Sequence, residues 1–155
     1  MELARNLRVD SVSRLRPTQP LQVAPQQPVT DAVALMRQHC VGCILVCDAG
    51  RVVGLFTERD LMRRVLAAGK PLSMPMSECM SGDPVVVDPK ESIRAAVRRM
   101  EEGGYRHLPV VDDAGRAAGV LSVRRIVHYL VEHFPSTIHN QPPDPGHFPQ
   151  RPEGA

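Results

Sequence analysis

Apolar positions along this chain fall into a short series of patterns, and the series runs twice. Val29, Ala32, Val33 and Met36 stand at i, i+3, i+4 and i+7, one face of a helix. Ile93, Ala96, Val97 and Met100 repeat that stripe 64 positions later. Before the stripes come Val23-Ala24-Pro25 and Val87-Asp88-Pro89. After them come Ile44-Leu45-Val46-Cys47-Asp48-Ala49-Gly50-Arg51 and Pro109-Val110-Val111-Asp112-Asp113-Ala114-Gly115-Arg116. Gly54-Leu55-Phe56-Thr57-Glu58-Arg59-Asp60 is answered by Gly119-Val120-Leu121-Ser122-Val123-Arg124-Arg125, now at an offset of 65. Two copies are too few for a solenoid and point to a pseudo-symmetric pair.

Within each copy the elements follow from these patterns. Residues 21–23 read as a first strand, and Pro25 as the first helical residue, with Ala24 a poor cap. In the second copy Asp88, Pro89 and Glu91 fit N-cap, N1 and N3, which predicts the firmer helix start there. Residues 41–46 and 52–56 read as a hairpin turning at Gly50. A helix follows Thr57 and stops at Gly69, with Leu61, Met62, Val65 and Leu66 at helical spacing. The second copy has strands at 85–87 and 109–111 and a last helix from Ser122 to about residue 133, with Ile126, Val127, Leu130 and Val131 inward. The boundaries are an N-terminal segment 1–20, repeats at 21–69 and 84–134, and a linker 70–83. In the N-terminal segment Leu3 and Leu7 suit a short helix. Residues 135–155 are Pro-rich with almost no apolar pattern, which predicts a disordered tail whose removal barely moves the melting temperature.

Thr57 lies where a strand ends and a helix begins. First-turn N–H groups have no intrahelical partner, so such a corner can hold an anion. Its hydroxyl and the Asp60 carboxylate, one turn apart, suit a vicinal diol such as a ribose. The same Thr-x-x-Asp is also a capping box, in which the two residues only start the helix. Recurrence of the stretch favours a site.

These features in this order resemble the CBS-domain family over residues 10–134: the Ala-x-x-x-Met helix, the apolar strand ending in Asp, and the Gly-x-x-Thr/Ser-x-x-Asp corner, all doubled. The resemblance implies an α/β (α+β) fold of two β-α-β-β-α repeats packed through their sheets, with an adenine nucleotide or related adenosyl ligand bound between them as a regulatory ligand and no other cofactor. Thr57 and Asp60 then hold the ribose. The base lies against Val23 and Val41-Gly42-Cys43, and Arg59, Arg106 and His107 meet phosphate. Ser122 and Arg125 mark a second, weaker site, because a guanidinium cannot accept hydrogen bonds from ribose hydroxyls. The resemblance also implies that residues 12–15 belong to the module, a short helix in the linker, a homodimer formed through the second helix of each repeat, and an output protein beyond this chain.

Composition narrows the alternatives. A hydrophobic fraction of 43% supports a folded core, and a net charge of +2 argues against a dedicated nucleic-acid binder. No run suits a membrane span or a signal peptide, so the expected location is cytoplasmic, with Cys40, Cys43, Cys47 and Cys79 reduced. Cys40-Val41-Gly42-Cys43 straddles a loop and an apolar strand, which fits core packing better than a metal and a metal better than redox catalysis. His128 and His133 read as solvated. No activated nucleophile or acid/base pair is evident, so an enzyme is not expected. The competing readings are a ligand-free interaction or scaffold module and, behind it, a metal-binding protein.

Overall fold

A computed structural model describes residues 2–134. Helix α1 (Glu2–Val9) and a 3-10 turn (Val12–Leu15) lead to β1 (Gln22–Val23), α2 (Val29–His39), the hairpin β2 (Cys43–Asp48) and β3 (Arg51–Thr57), and α3 (Glu58–Asp60), which continues as a π-helical turn (Leu61–Leu66). A second 3-10 turn (Met76–Glu78) and β4 (Ser81–Gly82) precede α4 (Ile93–Gly103), the hairpin β5 (His107–Val111) and β6 (Ala117–Ser122), and α5 (Val123–His133). One sheet has the order β1-β2-β3-β4, with β1 parallel to β2; the other is β5-β6. The strand expected at 85–87 reduces to one parallel bridge, Val87 to Val110, and Val85 is exposed.

Strand β2 is buried on both faces, which is why its sequence is continuously apolar. Ile44 and Val46 face the first repeat's core with Val29, Phe56 and Val65. Cys43, Leu45 and Cys47 face the other way and meet Leu55 and Val120, forming the seam between the sheets. Burial pushes the Cys43 thiol up to about 12, with the nearby Asp60 charge adding to it, and raises Cys47 too. Both behave as small core hydrophobes. The hairpin tips join the repeats through backbone bonds from Val52 N–H to Gly115 (3.1 Å) and Ala117 N–H to Gly50 (3.4 Å).

Each repeat is completed by the segment that leads into the other. Val12 and Leu15 are buried among Val87, Ile93, Leu108, Leu121 and Ile126 of the second repeat. The 74–79 segment does the same for the first, burying Met74, Met76 and Cys79. These segments stand 64 positions apart, so the pseudo-symmetry extends to them.

Both helix starts differ from expectation. The N-caps are Pro28 and Ser92, not Ala24 and Asp88. Pro25 and Pro89 sit instead in turns, closed by Ala24 N–H donating to Gln27 Oε1 (2.7 Å) and Asp88 N–H donating to Glu91 Oε1 (3.1 Å). The second start is still the firmer one, because Ser92 Oγ accepts from Ala95 N–H at 3.1 Å whereas Pro28 offers no side-chain cap.

The inward faces of the outer helices are narrower than expected. Val65 and Ile126 are buried, and Tyr129 replaces Val127 and Val131 on the inward side. Met62 (64% exposed), Leu66, Val127 and Val131 face outward. The inward set on α5 follows the i, i+3 spacing of 126 and 129, so the apolar residues at 127 and 131 fall outside the arc that the core can cover. The Pro-rich tail lies outside the described residues.

Helices α2 and α4 end alike but with different residues. Cys40 (φ 53°, ψ 45°) and Gly104 (φ 67°, ψ 28°) both take the left-handed conformation. That geometry costs a residue with a β-carbon about 1–2 kcal/mol and costs glycine almost none. Cys40→Gly is therefore expected to raise stability by roughly 1 kcal/mol, seen as a higher urea midpoint at unchanged slope.

Candidate functional site

Two clefts open between the repeats. The larger, about 670 Å³, lies at the Thr57 corner, where β3 passes into α3. Its walls are Thr57, Arg59, Asp60, Met62 and Arg63 from the first repeat, the 81–85 segment, and Gly103 to His107 from the second. The smaller, about 440 Å³, is its pseudo-symmetric counterpart at Ser122, walled by Thr18, Gln19 and Leu21, by residues 40–43 and by Arg124, Arg125 and His128.

Pseudo-twofold packing sets which residues meet. Each corner faces the strand entrance of the opposite repeat. The larger cleft thus gathers Thr57, Arg59, Asp60, Arg106 and His107, as expected, together with Gly42, which borders both clefts. Val41 and Cys43 belong to the smaller cleft, beside Ser122 and Arg125. Val23 reaches neither, being buried in the first repeat's core. The expected base wall is therefore corrected: the residues facing Thr57 are Tyr105, Arg106, His107 and Val85, the 64-position counterparts of Val41, Gly42, Cys43 and Leu21. Sequence reading overlooked Tyr105, Ser81, Arg63 and His128, although the offset itself points to the first two of these segments.

Thr57 and Asp60 form a complete capping box. Asp60 Oδ2 accepts from Thr57 N–H (3.0 Å) and Thr57 Oγ1 (3.1 Å), while Thr57 Oγ1 accepts from Asp60 N–H (3.2 Å). Glu58 N–H donates to the Gly42 carbonyl at 3.1 Å. These N–H groups of the first turn, expected to be open to an anion, are already bonded. The other carboxylate oxygen is held more loosely: Ser81 Oγ lies 3.4 Å and Arg64 Nε 3.5 Å from Asp60 Oδ1. At the second corner Ser122 Oγ accepts from Arg125 N–H (3.3 Å), and Arg125 has no carboxylate to return.

The clefts differ in charge. The larger mixes Arg59, Arg63 and Arg106 with Glu58, Asp60 and Asp83. The smaller carries Arg124, Arg125 and His128 and no carboxylate. His107 borders both. Burial lowers its pKa and neighbouring Arg106 lowers it further, against the opposing pull of Glu58. That direction favours the uncharged imidazole, which can offer a phosphate a hydrogen bond. Among the described residues no group of three or more His, Cys, Asp and Glu side chains suits a metal ion, and no helix is long and apolar enough to cross a membrane.

Comparison with known proteins agrees with this architecture. The CBS domain profile matches residues 12–67 and 76–132. The CBS domain-containing protein YhcV of Bacillus subtilis is 38% identical over 104 residues, spanning 67% of this chain and 74% of that protein. The crystal structure of the CBS-domain containing protein ATU1752 from Agrobacterium tumefaciens superposes with a TM-score of 0.69 at 30% identity, covering 77% of this chain and 98% of that one. The CBS domain protein PAE2072 from Pyrobaculum aerophilum, complexed with AMP, shares the fold with a TM-score of 0.71 at 23% identity, covering 79% and 99%. The chain belongs to the CBS-domain family and carries two tandem CBS repeats.

Proposed function

We propose that this chain is a regulatory module that binds an adenine nucleotide or related adenosyl ligand in the larger cleft and signals by a shift in repeat or dimer geometry. The observation that carries the reading is one cleft, about 670 Å³, in which a hydroxyl–carboxylate pair and three guanidinium groups are contributed by both repeats. That volume is in the range of small-molecule sites. AMP in PAE2072 supports the ligand class. A ribose hydroxyl would displace the long contacts of Asp60 Oδ1 and leave Oδ2 in the capping box. Arg59, Arg63 and Arg106 would meet phosphate, since the guanidinium fork matches its oxygens. Because both repeats wall the cleft, a ligand that fits one spacing better shifts the population toward it.

Thermal denaturation with AMP, ADP, ATP, S-adenosylmethionine and NAD tests the reading. A ligand at a hundredfold its dissociation constant stabilises by ~2.7 kcal/mol, a melting shift of roughly 5–10 °C for a chain of this size. The second reading, a ligand-free interaction module, is favoured by the completeness of the Thr57/Asp60 capping box, and no shift with any of these compounds would select it. Output through self-association draws support from Met62, which lines the cleft and is also one of the outward-facing apolar residues of the π-helical turn after α3 and of α5. Sedimentation should then show a dimer at micromolar concentration; a monomer throughout would exclude that route.

A further inference from the structure

The π-helical turn after α3 is closed by Ala67 N–H donating to the Met62 carbonyl (2.8 Å) and is followed by Lys70 N–H donating to that of Val65 (2.9 Å), each bond reaching back one residue further than in an α-helix. Such turns are rare and are found mostly at functional sites. The corresponding stretch of the second repeat, in α5, is regular α-helix. The two also differ at the position that ties each outer helix to the segment covering its repeat's core. In α5 this is Tyr129, buried, whose Oη donates to Asp10, just ahead of residues 12–15. In the first repeat it is Arg64, whose Nη1 donates to the Met80 carbonyl (2.8 Å), just after residues 74–79. Met80 is a fixed point, because its side chain fills the place of a β-carbon at Gly54 in β3. Arg64 is half exposed and has a second anchor: its Nε lies 3.5 Å from Asp60 Oδ1, the oxygen offered to the ligand in the reading above. In the second repeat Arg125 and Tyr129 stand in the places of Asp60 and Arg64, so only the first tie reaches an acid of its own cleft.

We propose that Arg64 is a positioning residue that couples occupancy of the larger cleft to the π-helical turn. While Asp60 Oδ1 is free of ligand, Arg64 bridges it to Met80 and holds the turn in its π form. A ligand hydroxyl that donates to Oδ1 takes over that oxygen. Arg64 then loses one of its two anchors, and the turn is released toward the α geometry seen in α5. A ligand shifts a conformational equilibrium only through such a difference in contacts between the two states. Met62 and Leu66 ride on the turn and face outward, so its release re-aims apolar side chains on the outer surface. The inference rests on the nucleotide reading above and adds the contact through which occupancy is felt outside the cleft.

Amide hydrogen exchange of the full chain by NMR, with and without saturating AMP, tests it. Loss of one partly exposed ion pair predicts that exchange at Ala67 and Lys70 quickens by about 2- to 5-fold when AMP binds, against the slowing that a ligand brings to the rest of the protein. Asp60→Asn, which removes the charge opposite Arg64, should quicken the same two amides with no ligand present. Arg64→Met keeps the apolar stem and removes the donors. It should bind AMP within about threefold of wild type, start from the quickened rates, and show no further quickening at these amides when AMP is added. Slowing of Ala67 and Lys70 along with the rest in AMP-bound wild type, or an AMP-induced quickening that persists in Arg64→Met, would overturn the coupling while leaving the cleft a nucleotide site. Absence of AMP and ATP binding to the wild type would overturn the nucleotide reading and the ligand's part in this inference. The two variants then decide the rest: quickened rates in both uphold the Asp60–Arg64 hold on the turn, and unchanged rates overturn it.

Discussion

Deleting residues 1–16 is expected to unfold the second repeat, although none of these residues lies in the repeat's own stretch of sequence. Val12 (0% exposed) and Leu15 (4%) are members of its core, and Leu7 packs against it. Burying two such side chains contributes about 3–6 kcal/mol at ~1.5–3 each. The segment also supplies ladder-like backbone bonds: Val12 N–H to Glu91 (2.8 Å), Ser13 N–H to Pro89 (3.0 Å), and Ile93 N–H to the Asp10 carbonyl (2.9 Å). Tyr129 Oη donates to Asp10, tying α5 to the same segment. A domain's whole stability is about 5–15 kcal/mol, so this loss is a large part of it. Hydrogen exchange is the most direct measurement. Protection should fall first in α4, β5 and α5, while β2 and β3, covered by the 74–79 segment, keep theirs longer. An unchanged urea midpoint and uniform protection would contradict this assignment of the N-terminal segment.

The repeat was legible in the sequence because stripe, hairpin and corner recur at nearly constant spacing. Placement of residues 12–15 with the module rests on the family resemblance and not on the repeat's spacing. The exchange of covering segments between repeats was less visible. Periodicity reports which side of an element is apolar, not which other element covers it. For the same reason residues 127 and 131 read as inward although the core has room only for the arc through Ile126 and Tyr129. The helix starts were misplaced because Pro25 and Pro89 suit position i+1 of a turn as well as N1 of a helix, and the side chains of Gln27 and Glu91 close those turns. At the site, the corner residues Thr57, Arg59 and Asp60 could be read locally. The wall opposite could not, since it comes from the other repeat. Pairing Val41 and Cys43 with Thr57 took the neighbour along the sheet for the neighbour across the cleft.

The two corners should separate sharply under mutation. Asp60→Ala is expected to abolish most nucleotide binding, and Arg125→Ala to leave it nearly intact. Only the first corner has a carboxylate to accept hydrogen bonds from a ribose diol; Arg125 carries donors alone. Its positive charge also sits in the first turn of α5, where the helix dipole disfavours it. Asp60→Ala has a second effect that must be kept apart from the first. It removes one half of the capping box that starts α3, which costs about 0.5–2 kcal/mol without any ligand. Ligand-induced shifts must therefore be measured against the variant's own melting temperature. Asp60→Asn helps here, because it keeps one carbonyl oxygen for the cap while losing the charge and an acceptor. Calorimetry on the wild type should give one dominant site per chain. Two equal sites, or undiminished binding by Asp60→Ala, would remove Asp60 from the ribose and leave the Thr57 corner a helix cap and nothing more.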